Sequence, residues 1–473
     1  MKTRISIARR LIRWACVLML LLYALVDRRA QDEPETDVKG VLKDTDVADF
    51  WVYDNLESGI QQARRTGKPL LVTIRCVPCK ACRGMDASVV NPSDPALQEL
   101  MSQFVCVRII QAWGLDMSLF QYDMNMSWAA FFLNADRVIY GRYGTRAAQR
   151  DEKAITVPGF VKALEGAVEL HERYMASPKS IGKTLAAKTG AKPRWKKPED
   201  IPAIPKTIRW DKRLGRLTAK QTNSCVHCHF VPAAEMMGMM SKGERITDRH
   251  LWAYPLPETI GLSFDPKEKA TITQVAENSD AGRAKMKAGD RIVSMEKQPI
   301  LSIADVQWIL HQADDADTLE VTIQRSPEAR EHTVMLELPG GWRRQGTFVD
   351  RVSSWDLFKV KLFGVAKMDA VPEKERTALG LKAHEMALQI KKFSPSWGGI
   401  NQDAQKSGLE IDVVIVEVDG KKNLGDHSQM LAYLVQNKKS GERLSVVVLR
   451  DGDRREFNVP LHWADRIKAL RKP

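Results

Sequence analysis

Between residues 50 and 175 the spacing of apolar and polar positions changes several times, and each change predicts an element. Asn55–Thr66 carries a short amphipathic helical pattern that stops at Gly67. Pro69–Ile74 is a Leu-rich, β-branched run, which predicts a strand leading straight into a group of cysteines. Ala96–Met101 then reads as helix and Phe104–Ile110 as strand. Ala129–Leu133 and Val138–Tyr140 read as a strand pair, and Phe160–Tyr174 as a closing helix. Helices alternating with buried strands predict an α/β layer domain.

Beyond this domain the pattern lapses. Ser177–Pro205 is rich in Lys, Pro and small residues without sustained periodicity, as expected of a linker. Further breaks fall near Gly340–Gly341 and around Pro372–Arg376. The 473 residues therefore divide into a leader (1–30), an α/β domain (46–176), a basic linker (177–206), a short Cys/His segment (207–257), a module at 258–340, a linker (341–377) and a last module at 378–465. Modules of this size suffice for independent cores.

The leader sets the expected compartment. Lys2, Arg4, Arg9, Arg10 and Arg13 precede an apolar run from Trp14 to Val26, the layout of an export signal. That run is short for a spanning helix. Arg28 and Arg29 disturb a small-residue cleavage site, so a cleaved signal peptide and an uncleaved inner-membrane anchor both stay open. In either case the remainder is expected to be exported, in or facing the periplasm, where disulfides form.

With 44% apolar and 28% charged residues the composition is ordinary for a globular protein. The formal charge of +13 is concentrated in two places. Residues 1–30 contribute +6 and residues 178–220 contribute +10, leaving the rest at −3. A basic leader and a basic linker account for the excess, so no nucleic-acid partner is expected.

Five of the seven cysteines lie in two short runs, Cys76-Val77-Pro78-Cys79-Lys80-Ala81-Cys82 and Cys225-Val226-His227-Cys228-His229. Clustered thiols with two-residue gaps point to redox exchange, metal binding or haem attachment. In the first run a redox dithiol, a metal site and a non-catalytic disulfide are the three readings. The spacing of three cysteines suits iron–sulfur ligation, but the fourth ligand of that pattern is missing. Cys106, within Phe104-Val105-Cys106-Val107, reads as a buried small hydrophobe.

Leu71-Val72, then Cys79-Lys80-Ala81-Cys82, then Met85 resemble the strand, active-site dithiol and first helix of the thioredoxin family, and the resemblance covers about 120 residues. It implies Cys79 as nucleophile at a helix start, where backbone N–H groups and the dipole favour thiolate. Cys82 would resolve a mixed disulfide with a partner protein, and Cys76 would be a third thiol. Lys80 and Arg83 add positive charge. The family's cis-proline before the facing strand has no counterpart in Met126-Ser127-Trp128-Ala129. That departure bears on substrate docking, and Trp128 reads as core.

Cys225-Val226-His227-Cys228-His229 has the C-x-x-C-H form of c-type haem attachment. On that reading Cys225 and Cys228 form the thioethers and His229 binds the iron. Met236, Met237, Met239, Met240 and His250 are candidates for the sixth ligand. Zinc held by Cys225, Cys228 and His229, or a plain disulfide, are the alternatives.

Residues 258–338 resemble a PDZ domain. Gly261-Leu262-Ser263-Phe264 matches the carboxylate-binding loop and Ala270–Val275 the strand beside the groove. Met286-Lys287-Ala288-Gly289-Asp290-Arg291-Ile292 matches the bacterial turn, and Ala304–Gln312 the groove helix. The resemblance implies capture of a partner's C-terminus by strand addition. Residues 378–461 resemble a second, degenerate copy with Ala387–Ile390 as its groove strand, lacking a preceding glycine. No Gly-x-Ser-x-Gly turn occurs, so a protease is not expected. The fold class expected is multidomain: a thioredoxin-like α/β domain, a Cys/His segment and two mostly-β, PDZ-like β-barrel modules.

This order of parts resembles multidomain exported thioredoxin/PDZ proteins of planctomycete-type bacteria. Two functions follow as expectations: a thiol-disulfide redox and electron-transfer protein whose PDZ modules recruit a partner, or a non-enzymatic PDZ scaffold with structural or metal-binding cysteines.

Overall fold

The central strand of the first sheet, β2 (Leu70–Arg75), is buried along its whole length, and the other strands assemble around it. β1 (Val52–Tyr53), β3 (Val105–Ile109), β4 (Trp128–Leu133) and β5 (Ile139–Tyr143) complete the order β1-β3-β2-β4-β5. The β1–β3 and β2–β3 pairs are parallel; β2–β4 and β4–β5 are antiparallel. A strand covered on both faces needs continuous apolar sequence, and Leu-Leu-Val-Thr-Ile supplies it.

Helices with explicit caps cover this sheet. α1 (Leu56–Thr66) starts at Asn55, whose side chain accepts from the Ser58 amide, and ends at Gly67 in the left-handed region. α2 (Arg83–Val90) and α3 (Pro95–Ser102) follow, the latter capped by Asp94 with Pro95 in its first turn. The long α4 (Val157–Ala176) begins at Thr156, which accepts from the Gly159 amide. Phe132, Phe160 and Trp128 meet in the core beneath it.

The described residues are Lys39, 44–75, 83–110, 112–126, 128–145, 154–202, 204, 228, 230–326, 328–349, 351, 362–382, 384–394 and 402–463 of this computed structural model. Asp46–Lys206 and Cys225–Pro473 make one compact unit, to which every element named here belongs. The other unit, Met1–Thr45 with Thr207–Ser224, is described only at Lys39, Asp44 and Thr45, so the leader lies outside the described residues. Among the described residues no helix is long and apolar enough to cross a membrane.

The stretch read as a basic linker is folded. Pro178–Leu185 forms α5, a 3-10 turn follows at Ala186–Lys188, and Leu185 joins the first domain's core. Lys-rich composition suggested solvent, but Lys188 is fully buried against a residue more than a hundred positions away. Local sequence does not carry that information.

After α6 (Phe230–Ser241) and the short α7 (Asp248–Leu251) comes a module with two sheets. β6 (Leu262–Phe264) pairs with β7 (Ile272–Val275). After α8 (Asp280–Arg283), β8 (Arg291–Met295) and β9 (Gln298–Pro299) come α9 (Ile303–Gln312), β10 (Asp317–Gln324) and β11 (His332–Leu338), giving a sheet ordered β11-β10-β8-β9. Ser302 caps α9 by accepting from the Ala304 amide.

The last module comprises β12 (Val365–Ala370), α10 (Glu373–Ala378), β13 (Leu388–Phe393), α11 (Asp403–Lys406), β14 (Val414–Val418), α12 (His427–Asn437), β15 (Arg443–Arg450) and β16 (Asp453–Pro460). Apart from α10, and with no strand in the place of β9, its element order repeats that of the preceding module, and its strands form one antiparallel meander. Three expectations are corrected. The stretch 341–377 is not a linker throughout: Trp342 is buried in the preceding core, and Val365–Ala370 is a strand of the last module. By position β12 matches β6, and β13, with Ala387–Ile390, matches β7; the glycine read as lacking is Gly364, which precedes β12 with φ +86°, as Gly261 precedes β6 with φ +85°. None of the described sheets closes into a barrel.

Candidate functional site

The cysteine run 76–82 lies outside the described residues, so Cys76, Cys79 and Cys82 receive no coordinates, but both of its flanks are described. Arg75 ends β2 and Arg83 begins α2. One helical turn beyond Cys82 stands Asp86, whose carboxylate lies 3.1 Å from Arg75 Nε. Arg108 on β3 donates to both of its oxygens, Nη1 at 2.8 Å and Nη2 at 2.9 Å. Trp128 Nε1 donates to the same carboxylate at 3.1 Å.

One buried carboxylate thus ties three strands to α2, directly beside the sulfur-bearing stretch. Two guanidinium groups against one carboxylate leave a net positive field at the cysteine flank, the sign that favours thiolate. Trp128 is core, as expected, and also donates to this cluster. The sequence reading missed Asp86; its place four residues after Cys82 was the available signal. Cys106 is buried, and burial pushes its thiol far above the usual range, away from thiolate chemistry.

The second cysteine run is described only at Cys228; Cys225 and His229 lie outside the described residues. Cys228 is buried, and its carbonyl accepts from the Val231 amide at 3.0 Å, opening the first turn toward α6. Pro232, Glu235, Met236 and Met239, spaced along one face of α6, line a cavity of about 500 Å³. Trp195, His250 from α7, and Trp308 and His311 from α9 line it as well. Met237 is buried outside this lining, and Met240 lines a different cavity.

Two histidines and a glutamate line the cavity that Met236 and Met239 face. His311 Nδ1 accepts from the Tyr254 amide at 3.3 Å, and the two rings stack with centroids 4.1 Å apart. Burial, with Arg249, Arg343, His250 and Arg142 nearby, pushes the His311 pKa down to about 3, so the ring is neutral. His250 Nδ1 accepts from the Thr247 amide at 3.1 Å. Burial and then Arg249 lower its pKa also. With Nδ1 accepting in each neutral ring, the proton sits on Nε2. Burial alone raises Glu235 to about 7. Among the described residues no group of three or more His, Cys, Asp or Glu side chains could hold a metal ion.

Gly261, Leu262, Ser263 and Phe264, read from the sequence as a carboxylate-binding loop, form a left-handed turn and the strand β6, which among the described residues has a strand partner on one side only. A strand with a free edge on one side of a helix is the geometry used for peptide addition. The first domain leans on both walls of that space. On the helix wall, Ser302 Oγ donates to the Arg142 carbonyl at 2.5 Å, and the Arg142 guanidinium stacks over the Trp308 ring at 4.0 Å. On the strand wall, Thr156 Oγ1 donates to the Pro266 carbonyl at 2.7 Å, and a Cβ on Gly159 would overlap that same carbonyl.

Residues 51–135 match the thioredoxin-like family, and residues 258–337 match the PDZ domain. The chain contains a thioredoxin-like domain and a PDZ domain. No curated protein matches it. Among solved structures, the HtrA-type protease AlgW with decapeptide overlaps 32% of this chain and 50% of its own, at 13% identity and a TM-score of 0.20. The same protease with tripeptide overlaps 37% of this chain and 58% of its own, at 12% identity and a TM-score of 0.19. The chain thus spans little more than half the length of these proteases. The thioredoxin-like domain carries the Arg75–Asp86–Arg108 cluster, and the PDZ domain carries β6 and α9.

Proposed function

We propose that this protein is an exported thiol-disulfide redox and electron-transfer protein, in which Cys79 attacks, Cys82 resolves and the PDZ domain holds the partner. The observation that carries the reading is the Asp86 carboxylate, bound by Arg75 and Arg108 at the flank of the cysteine run. It braces the ends of a stretch holding three thiols and leaves them in a positive field, which stabilises the attacking thiolate. Cys76 serves as a third thiol. Export rests on the basic, apolar leader, which either is cut or tethers the chain to the inner membrane.

In this reading Cys225 and Cys228 hold a haem by thioether bonds and His229 binds its iron, adding one-electron chemistry to the two-electron chemistry of the dithiol. The experiment for the dithiol is reduction of a model disulfide by the full chain with dithiothreitol as donor. Cys79→Ser is expected to lower the rate at least tenfold; an unchanged rate removes Cys79 as nucleophile.

A scaffold reading has its own support. The glycine before β12 repeats the backbone conformation of Gly261, so both β-rich modules carry the turn that precedes a peptide-binding edge. In that case the cysteines are structural. A reduction potential low enough to resist glutathione would favour the scaffold, and one in the range of catalytic dithiols the redox protein.

A further inference from the structure

We propose that the cavity bounded by α6, α7, α9 and the 117–125 loop binds a fatty carboxylate, with the alkyl chain against its methionine-lined wall and the head group taken by Lys192 and Arg249. The site draws on no residue of either cysteine run and stands independently of the redox reading.

Separate stretches of the chain build the walls. The 117–125 loop belongs to the thioredoxin-like domain and α9 to the PDZ domain, while the 191–195 stretch, α6 and α7 supply the rest. Small-molecule sites concentrate in concave spaces where domains meet, and about 500 Å³ lies within their size range. Met117 and Met124 come from the loop, Met236 and Met239 from α6, and Phe120 and Trp308 extend the apolar surface. Unbranched thioether side chains repack around an apolar guest, which suits a flexible alkyl chain.

The polar groups left over select the head group. Asp123 is paired with Arg351, and Arg194 with Glu244. Lys192, Arg249 and Glu235 remain. Among the described residues the Lys192 side chain makes no hydrogen bond or ion pair, and Arg249 donates to Gln312 through Nη2 alone. His250 and His311 each accept a backbone N–H at Nδ1, so each has an Nε2–H to donate. Against these donors stands one unpaired carboxyl, Glu235, which burial raises to about 7, so that it is about half protonated at neutral pH. A surplus of N–H donors and positive charge beside an apolar wall fits an anionic acceptor on an apolar body. An organic cation would instead meet Lys192 and Arg249 as like charges.

The test is isothermal titration calorimetry on the full chain with decanoate, octanoate and decanol as probes. One decanoate per chain is expected, bound about tenfold more tightly than octanoate because two more methylenes leave water. It should also bind at least tenfold more tightly than decanol, which offers no charge-assisted hydrogen bond. Lys192→Glu should weaken decanoate at least tenfold and leave decanol unchanged. Met239→Trp, which fills the space from α6, should weaken both at least tenfold. Lys242→Glu, at an exposed position outside the lining, should change neither. Far-ultraviolet circular dichroism confirms that each variant is folded.

Failure of decanoate to bind the wild type overturns the site. Decanol binding as tightly as decanoate, or a Lys192→Glu variant that keeps wild-type decanoate affinity or loses both probes equally, overturns the anionic head group. Binding undiminished by Met239→Trp places the guest elsewhere and overturns this cavity.

Discussion

Lys188 holds its ammonium 2.9 Å from the Asp305 carboxylate, and neither side chain has any solvent exposure. The contact is an ion pair rather than an aligned hydrogen bond. It joins the end of the 3-10 turn after α5 to the groove helix of the PDZ domain. Asp305 also accepts from the Arg142 amide at 3.3 Å and the Leu301 amide at 3.0 Å. Burial lowers the Lys188 pKa, with Asp305 opposing that shift. Burying charges is costly, so a buried pair at a domain junction is by itself weak evidence of stability.

Asp305→Asn leaves the Lys188 ammonium without its anion. The expected loss is about 3–5 kcal/mol. Differential scanning calorimetry should show the thioredoxin-like and PDZ transitions separating, whereas one cooperative transition at wild-type temperature would mean the pair does not hold the junction.

Asp86→Asn removes the anion between Arg75 and Arg108. Stability should fall by about 3–5 kcal/mol. The unbalanced positive charge should also move the pH dependence of cysteine alkylation to lower pH. A stability loss without that movement would leave Asp86 a structural residue only.

The neutral His311 gives a pH signature. Its folded pKa, about 3, lies below the ordinary value near 6.5, so the unfolded chain binds its proton more readily. Its contribution is therefore intact above about pH 6.5 and is lost as pH falls from there toward 3. A decline on the order of 2–4 kcal/mol across that window is expected. His311→Asn should flatten this part of a plot of unfolding midpoint against pH, and a slope unchanged by the substitution would assign the decline to other groups.

Gly261 and Gly364 sit at φ +85° and +86°, where an L side chain is strained. Gly364→Ala should cost about 1–2 kcal/mol in the unfolding of the last module. Gly261→Ala should cost more, because its Cβ would also meet the Ser279 side chain. Chemical denaturation of each variant measures both, and a neutral Gly364→Ala would detach that turn from the likeness to Gly261.

Much of this architecture was legible because its signals are local. The helix 55–66 shows its cap and its glycine stop, and β2 shows continuous apolar residues, so both were predicted within a residue or two. What escaped was non-local. Lys188 looked like solvent-exposed linker because its anion, Asp305, lies in another domain. The strand Val365–Ala370 was passed over because its pattern is half polar, Lys367 and Asp369 facing outward beside buried Val365 and Met368. The α6 stripe could be counted from the sequence, but the Trp195 and Trp308 walls that turn it into a cavity come from distant stretches.

The grip of the thioredoxin-like domain on Ser302 and Pro266 has a thermodynamic consequence. A tail extending along β6 would compete for room with Thr156, Gly159 and Arg142. Tail capture and domain docking then draw on a single equilibrium, so apparent affinity falls with the population of the undocked state. By linkage, a tail that prefers that state would loosen the junction as strongly as the junction resists the tail.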